Sequence, residues 1–181
     1  QTAGKADSET VLPTKILYGR VHGPDQESGV QGVSVYDMAH PERQTTTDAE
    51  GNWRLDVVDA EFLRLRFEAS DLLSVDAWIQ PIEASDPKRP YPMSMGTEAD
   101  IARLYAAVGS SPLPEKTLVF VDALSEELIC LDGATVELSQ DYEAPWRQNQ
   151  DGSWSSTNLS TPDGGDLMFL NEEPGSLTLQ V

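Results

Sequence analysis

The chain has 181 residues, 39% hydrophobic and 24% charged, with a formal net charge of −19. That charge argues against nucleic acid as a partner, because phosphate binding needs clustered Lys and Arg. No apolar run approaches the roughly 18 residues of a spanning helix, so membrane insertion of the mature chain is not expected, and a single Cys excludes an internal disulfide framework and a Cys-based zinc site.

Residues 1–10 are small and polar and lack an initiator Met, as expected of a flexible leader on a trimmed, exported chain. Strand signals follow. Ile16, Leu17, Tyr18 and Val21 form an apolar run that breaks at Gly23-Pro24. Val33 and Val35 alternate with polar neighbours, and Trp53, Leu55 and Val57 alternate with Asn52, Arg54 and Asp56. In residues 61–68, Leu63, Leu65 and Phe67 take one face while Arg64, Arg66 and Glu68 take the other. That pattern predicts a half-buried strand with a charged outer face. Trp78, just ahead of a proline-rich stretch, is expected to cap this first sandwich.

Pro81, Pro87, Pro90 and Pro92 predict a linker or edge structure over residues 80–116. Within it, Thr97-Glu98-Ala99-Asp100 reads as a capping box with Asp in the usual Glu/Gln place. Ile101, Leu104, Tyr105 and Val108 recur at helical spacing and Gly109 closes the run, which predicts a helix at about 97–108. Val119 and Val121, Val136 and Leu138, Leu167 and Phe169, and Leu177, Leu179 and Val181 then resume strand alternation. Cys130, within Leu-Ile-Cys-Leu, reads as a buried, inert thiol.

The two halves repeat one another. Gly19-Arg20-Val21 corresponds to Val119-Phe120-Val121, and Gly32-Val33-Ser34-Val35 to Gly133-Ala134-Thr135-Val136. The block from Thr47-Asp48 through Gly51 and Trp53 to Leu55 corresponds to that from Thr161-Pro162 through Gly165 and Leu167 to Phe169. The second copy carries an insertion at about residues 140–160. In each copy a polar turn delivers Gly51 or Gly165, suited to positive φ, into an alternating strand.

These blocks resemble the carboxypeptidase regulatory-like family, with its pattern Gly-x-Val, Gly-Val/Ala-x-Val, then Thr-Asp-x-x-Gly-x-aromatic-x-Leu. The first copy follows it from Gly19 to Leu55. The second departs at Val119, Pro162 and Phe169. The resemblance covers about two thirds of the chain. It implies an all-β fold: two tandem transthyretin-like (prealbumin-like) antiparallel β-sandwiches of about seven strands each. The expected division is a leader at 1–10, a first sandwich at 11–79, a linker with one short helix at 80–116, and a second sandwich at 117–181. In that family the module is an appendage to a catalytic domain. The resemblance therefore implies a non-catalytic, exported bacterial module, periplasmic or on the cell surface, acting as a spacer or a protein-interaction platform.

Enzymes on related sandwiches provide a check. The Tyr-Arg-Gly-Ser of ureide hydrolases and the His-x-His of intradiol dioxygenases do not occur. His22 and His40 stand apart beside turn residues and read as loop histidines. Glu126-Glu127 and Glu172-Glu173 are adjacent pairs, which a strand sends to opposite faces. There is no nucleophile elbow. No cofactor and no catalytic residue are expected.

Three binding candidates remain. Asp48, Glu50, Asp163 and Asp166 sit in corresponding polar turns and are weak calcium candidates, since Asp and Gly also simply form turns. Tyr142, Trp146 and Trp154 fall in the polar insertion and are candidates for stacking on a carbohydrate, the alternative to a protein partner; burial of the loop's own aromatics is the plainer reading. Lys15 and Asn171 have the residue types of an adhesin cross-link but fall in different copies.

Overall fold

The computed structural model describes residues 13–25, 27–60, 62–80, 84–121, 137–138, 146–149, 153–156, 167–172 and 179–180. The chain divides into two compact units, Gln1–Thr97 and Glu98–Val181. Cys130, Tyr142, Asp163, Gly165 and Asp166 lie outside the described residues.

The first unit contains β1 (Thr14–His22), β2 (Ser34–Asp37), β3 (His40–Thr46), β4 (Asn52–Val58), β5 (Leu63–Glu68), β6 (Val75–Ile79) and β7 (Tyr91–Ser94). One sheet has the order β4-β1-β7 and the other β3-β2-β5-β6. Alternation decides which side chains enter the space between them. Leu17, Val21 and Leu55 come from the first sheet, and Val35, Leu65 and Phe67 from the second; all join one buried cluster. Phe67 is fully buried and meets Trp53 edge-on, with ring centroids 5.8 Å apart. Burial of a side chain of that size contributes about 1.5–3 kcal/mol.

Gly19 shows why the first motif position lacks a side chain. It sits opposite Trp53 in the β1–β4 ladder, and a Cβ there would lie 2.2 Å from the indole. The indole occupies the space that any other residue would fill.

Of the proline-rich segment, residues up to Thr97 belong to the first unit and those from Glu98 to the second. β7 pairs in parallel with β1, from Gly19↔Tyr91 to His22↔Ser94. Its edge position tolerates Pro92, which has no N–H to donate. Tyr18 N–H donates to the Ala84 carbonyl, and Met95 N–H to that of His22 at 3.0 Å. Ala84 and Met95 are both buried in the first core.

The second unit begins with α1 (Glu98–Ala107), one residue inside each end of the helix expected from the sequence. Glu98 and Asp100 occupy its first turn, where carboxylates complement the helix dipole. Gly109, at φ +73°, ends it, and Ser110 N–H donates back to the Tyr105 carbonyl. The remaining elements are β8 (Thr117–Val121), β9 (Glu137–Leu138), β10 (Trp146–Gln148), β11 (Trp154–Ser156), β12 (Leu167–Glu172) and β13 (Leu179–Gln180). They form a sheet of order β11-β10-β12-β8 and a two-stranded sheet β13-β9.

Strand β12 is buried on both faces, as the unbroken apolar run Leu167-Met168-Phe169-Leu170 suggests. Leu167 and Phe169 pack with Val121. Met168 and Leu170 pack with Tyr105 of α1. Part of the insertion expected to be a polar loop is a hairpin: Trp146↔Ser156 and Gln148↔Trp154 pair across β10 and β11. Asn149 closes it, its N–H donating to the Ser153 carbonyl at 2.7 Å and its Nδ2 to Ser153 Oγ at 2.9 Å.

The described residues thus define an all-β protein of sheets that are antiparallel apart from the β1–β7 pair, with one helix.

Candidate functional site

The polar turn between β3 and β4 carries the first pair of calcium candidates. Asp48 Oδ1 accepts from Glu50 N–H at 3.0 Å and Asn52 N–H at 2.8 Å, and Oδ2 accepts from Asn52 Nδ2 at 3.3 Å. Hydrogen bonds from Asn52, aided by that from Glu50, hold the Asp48 carboxyl below its ordinary value. The Glu50 carbonyl accepts from Arg20 Nε at 2.9 Å. Gly51 has φ +82°, and a Cβ there would lie 2.3 Å from the Val21 carbonyl oxygen. Next to Asp48, the buried Thr47 hydroxyl accepts from Val33 N–H and donates to the Val30 carbonyl, tying this turn to the start of β2. Thr47, Asp48 and Gly51, the fixed positions of the Thr-Asp-x-x-Gly block, therefore each have a structural task. Among the described residues no three His, Cys, Asp or Glu side chains group to hold a metal.

A similar turn follows β1. Asp25 Oδ1 accepts from the Glu27 and Ser28 N–H groups, and Oδ2 from Ser28 Oγ at 2.6 Å. These bonds, chiefly from Ser28, lower the Asp25 carboxyl's pKa. Neither histidine sits in a loop. His22 ends β1, half-buried, and His40 begins β3, 3.5 Å from Glu42.

Trp146 and Trp154, the described members of the aromatic trio, share one face of the β10–β11 hairpin by register. Both are half-buried and pack against the cluster of Tyr105, Met168 and Leu170. The Trp154 ring lies 6.3 Å from that of Phe120.

The most exposed aromatic ring on a described strand lies elsewhere. Trp78 does not cap the first sandwich. It stands on the outer face of β6, 59% exposed, directly opposite Arg64. The short pattern Val75-Asp76-Ala77-Trp78-Ile79 explains this, because Ala77 and Ile79 turn inward and leave Asp76 and Trp78 outside. The Arg64 guanidinium lies over the indole, 4.8 Å from its centroid. Arg64 Nη2 also donates to Asp76 Oδ2 at 2.6 Å. Arg66 binds the same carboxylate with two nitrogens, Nε to Oδ1 at 2.6 Å and Nη2 to Oδ2 at 2.9 Å. Arg66, then Arg64, thereby hold the Asp76 carboxyl below its ordinary value. Tyr36 faces Arg66 across β2 and β5. Phe62, just before β5, is 57% exposed. A shallow open depression of about 250 Å³ near β3 and β4 is lined by Glu42, Arg43, Arg54 and Asp56 among others.

No known protein-family profile matches the chain, and no curated protein sequence matches it significantly. Among solved structures, the shaft pilin SpaA of Lactobacillus rhamnosus GG aligns over 92% of this chain and 79% of the pilin chain, at 11% identity and a TM-score of 0.31. A mutant form of that pilin aligns over 94% of this chain and 78% of its own, at 10% identity and a TM-score of 0.28.

Proposed function

We propose that the chain is a non-catalytic exported bacterial module built from two tandem transthyretin-like copies, acting as a spacer or interaction platform. The observation that carries this reading is the use made of the repeated block. Thr47, Asp48, Gly51 and Trp53 are committed to hydrogen bonds, a left-handed turn and a core contact with Gly19. Residues that build shape in this way are a scaffold's, not a reaction centre's.

Strand pairing supports the two copies. β1 pairs antiparallel with β4, and the corresponding β8 pairs antiparallel with β12. β2 pairs with β5 in a separate sheet, as β9 does with β13. The β8–β12 register, Val121↔Leu167, differs by two residues from that implied by the sequence repeat, which keeps the same residues facing the same side. The test is a turnover screen of the purified chain against ester, peptide, phosphate and glycoside substrates. The expected result is no rate above buffer. Saturable turnover of any of them contradicts the reading.

A further inference from the structure

We propose that the outer face of β5 and β6 binds a neutral oligosaccharide, with Trp78 as the stacking platform. This rests on the reading of the chain as a non-catalytic platform and adds its ligand class.

Trp78 is 59% exposed, yet it is held on a strand and fixed from one side by Arg64. Arg64 is itself fixed by Asp76, and Asp76 by Arg66. An exposed indole locked by two successive contacts loses little conformational entropy when a ligand stacks on it. Beside the ring stand planar guanidinium donors and a carboxylate acceptor, a set that can hydrogen-bond vicinal hydroxyls. Phe62 adds a second exposed ring next to the strand that carries Arg64. The ligand this arrangement fits has a flat C–H face and a hydroxyl rim, as a pyranose does.

Charge narrows the class. The chain's net charge of −19 repels a polyanion at long range. A polycation finds the carboxylates of this face, Asp76 and Glu68, already paired with Arg64 and Arg66. A protein partner covers roughly 800 Å² of surface, whereas the large apolar side chains exposed on and beside this face, among the described residues, are Trp78 and Phe62. A neutral glycan meets none of these obstacles.

The test is titration of the full chain with cellohexaose, maltohexaose, mannohexaose and laminarihexaose, read by heteronuclear NMR, with heparin as the polyanionic comparison. The expected result is saturable shifts of the Trp78 indole and Arg64 side-chain signals with at least one hexasaccharide. Affinity should fall at least about tenfold in Trp78→Ala, a change of about 1.4 kcal/mol. Trp78→Phe should recover part of it, and Trp154→Ala should leave it unchanged. Failure of all four sugars, binding that survives Trp78→Ala, or preferential binding of heparin at this face overturns the proposal. Product analysis of the same samples separates the two readings. A bound but uncut sugar supports both, while cleavage overturns the non-catalytic reading and leaves the binding face standing.

Discussion

The two units treat the same residue type in opposite ways. In the first, Trp78 stands on an outer sheet face open to solvent, held by Arg64. In the second, Trp146 and Trp154 stand on a sheet face that α1 covers, and both are half-buried against Tyr105, Met168 and Leu170. The difference is not in the register, which puts each of these rings on one face of its sheet in both units. It lies in whether a further element packs on the face. An aromatic in a polar stretch thus indicates a binding site only once its covering is known.

Removing the core of one unit gives the largest effect. Phe67→Ala and Phe169→Ala each delete a fully buried ring and should each cost their own unit about 3–5 kcal/mol. Hydrogen exchange followed by NMR should show β5 protection lost in the first variant and β12 protection lost in the second. Equal loss in both units from either variant would break the division at Thr97–Glu98.

Uncovering the second unit's sheet comes next. Tyr105→Ala removes the buried ring that α1 places on Met168 and Leu170, at about 2–4 kcal/mol. Emission from Trp146 and Trp154 should shift red as water reaches them, and Trp78 should not respond. No shift would mean that α1 does not cover that face.

The charged face of the first unit carries a smaller, pH-dependent effect. The Asp76 carboxyl is held below its unfolded value by Arg66 and Arg64, so the ionised form favours the fold. That contribution is fully present above the unfolded carboxylate value of about 3.9 and is lost as the pH falls through the depressed folded value. Because both guanidiniums are partly exposed, about 1 kcal/mol is expected. Asp76→Asn should lower stability by that amount at neutral pH in denaturant titrations, and the gap from wild type should close on acidification. A gap that widens in acid would contradict the pairing.

The smallest effect concerns Glu115, which adopts φ +63° ahead of β8. Glu115→Gly should raise the second unit's stability by about 0.5 kcal/mol, since a left-handed backbone suits glycine. A loss in the same denaturant titration would show that its side chain matters more than its backbone.

Much of the first unit was legible before the structure. β1 follows from its apolar run, β4 and β5 from alternation, and, in the second unit, α1 from its capping box and Gly109. What escaped was polar or short. β3, His-Pro-Glu-Arg-Gln-Thr-Thr, has no apolar side to its alternation, because its edge position buries little. β7, which contains a proline, falls in the stretch read as linker or edge structure and is an edge strand on β1. The β10–β11 hairpin was concealed by the brevity of its strands. The Trp78 face was hidden for a different reason. Its partners Arg64 and Asp76 are twelve residues apart in sequence and meet only when β5 and β6 pair.

The central claim is that one strand pairing underlies both units. Cross-strand nuclear Overhauser contacts in the intact protein test it most directly. The account predicts contacts between Gly19 and Trp53 in the first unit and between Val119 and Phe169 in the second. Contacts from Val119 to any other strand, with Gly19–Trp53 intact, would show that the second unit is not built on the pairing of the first.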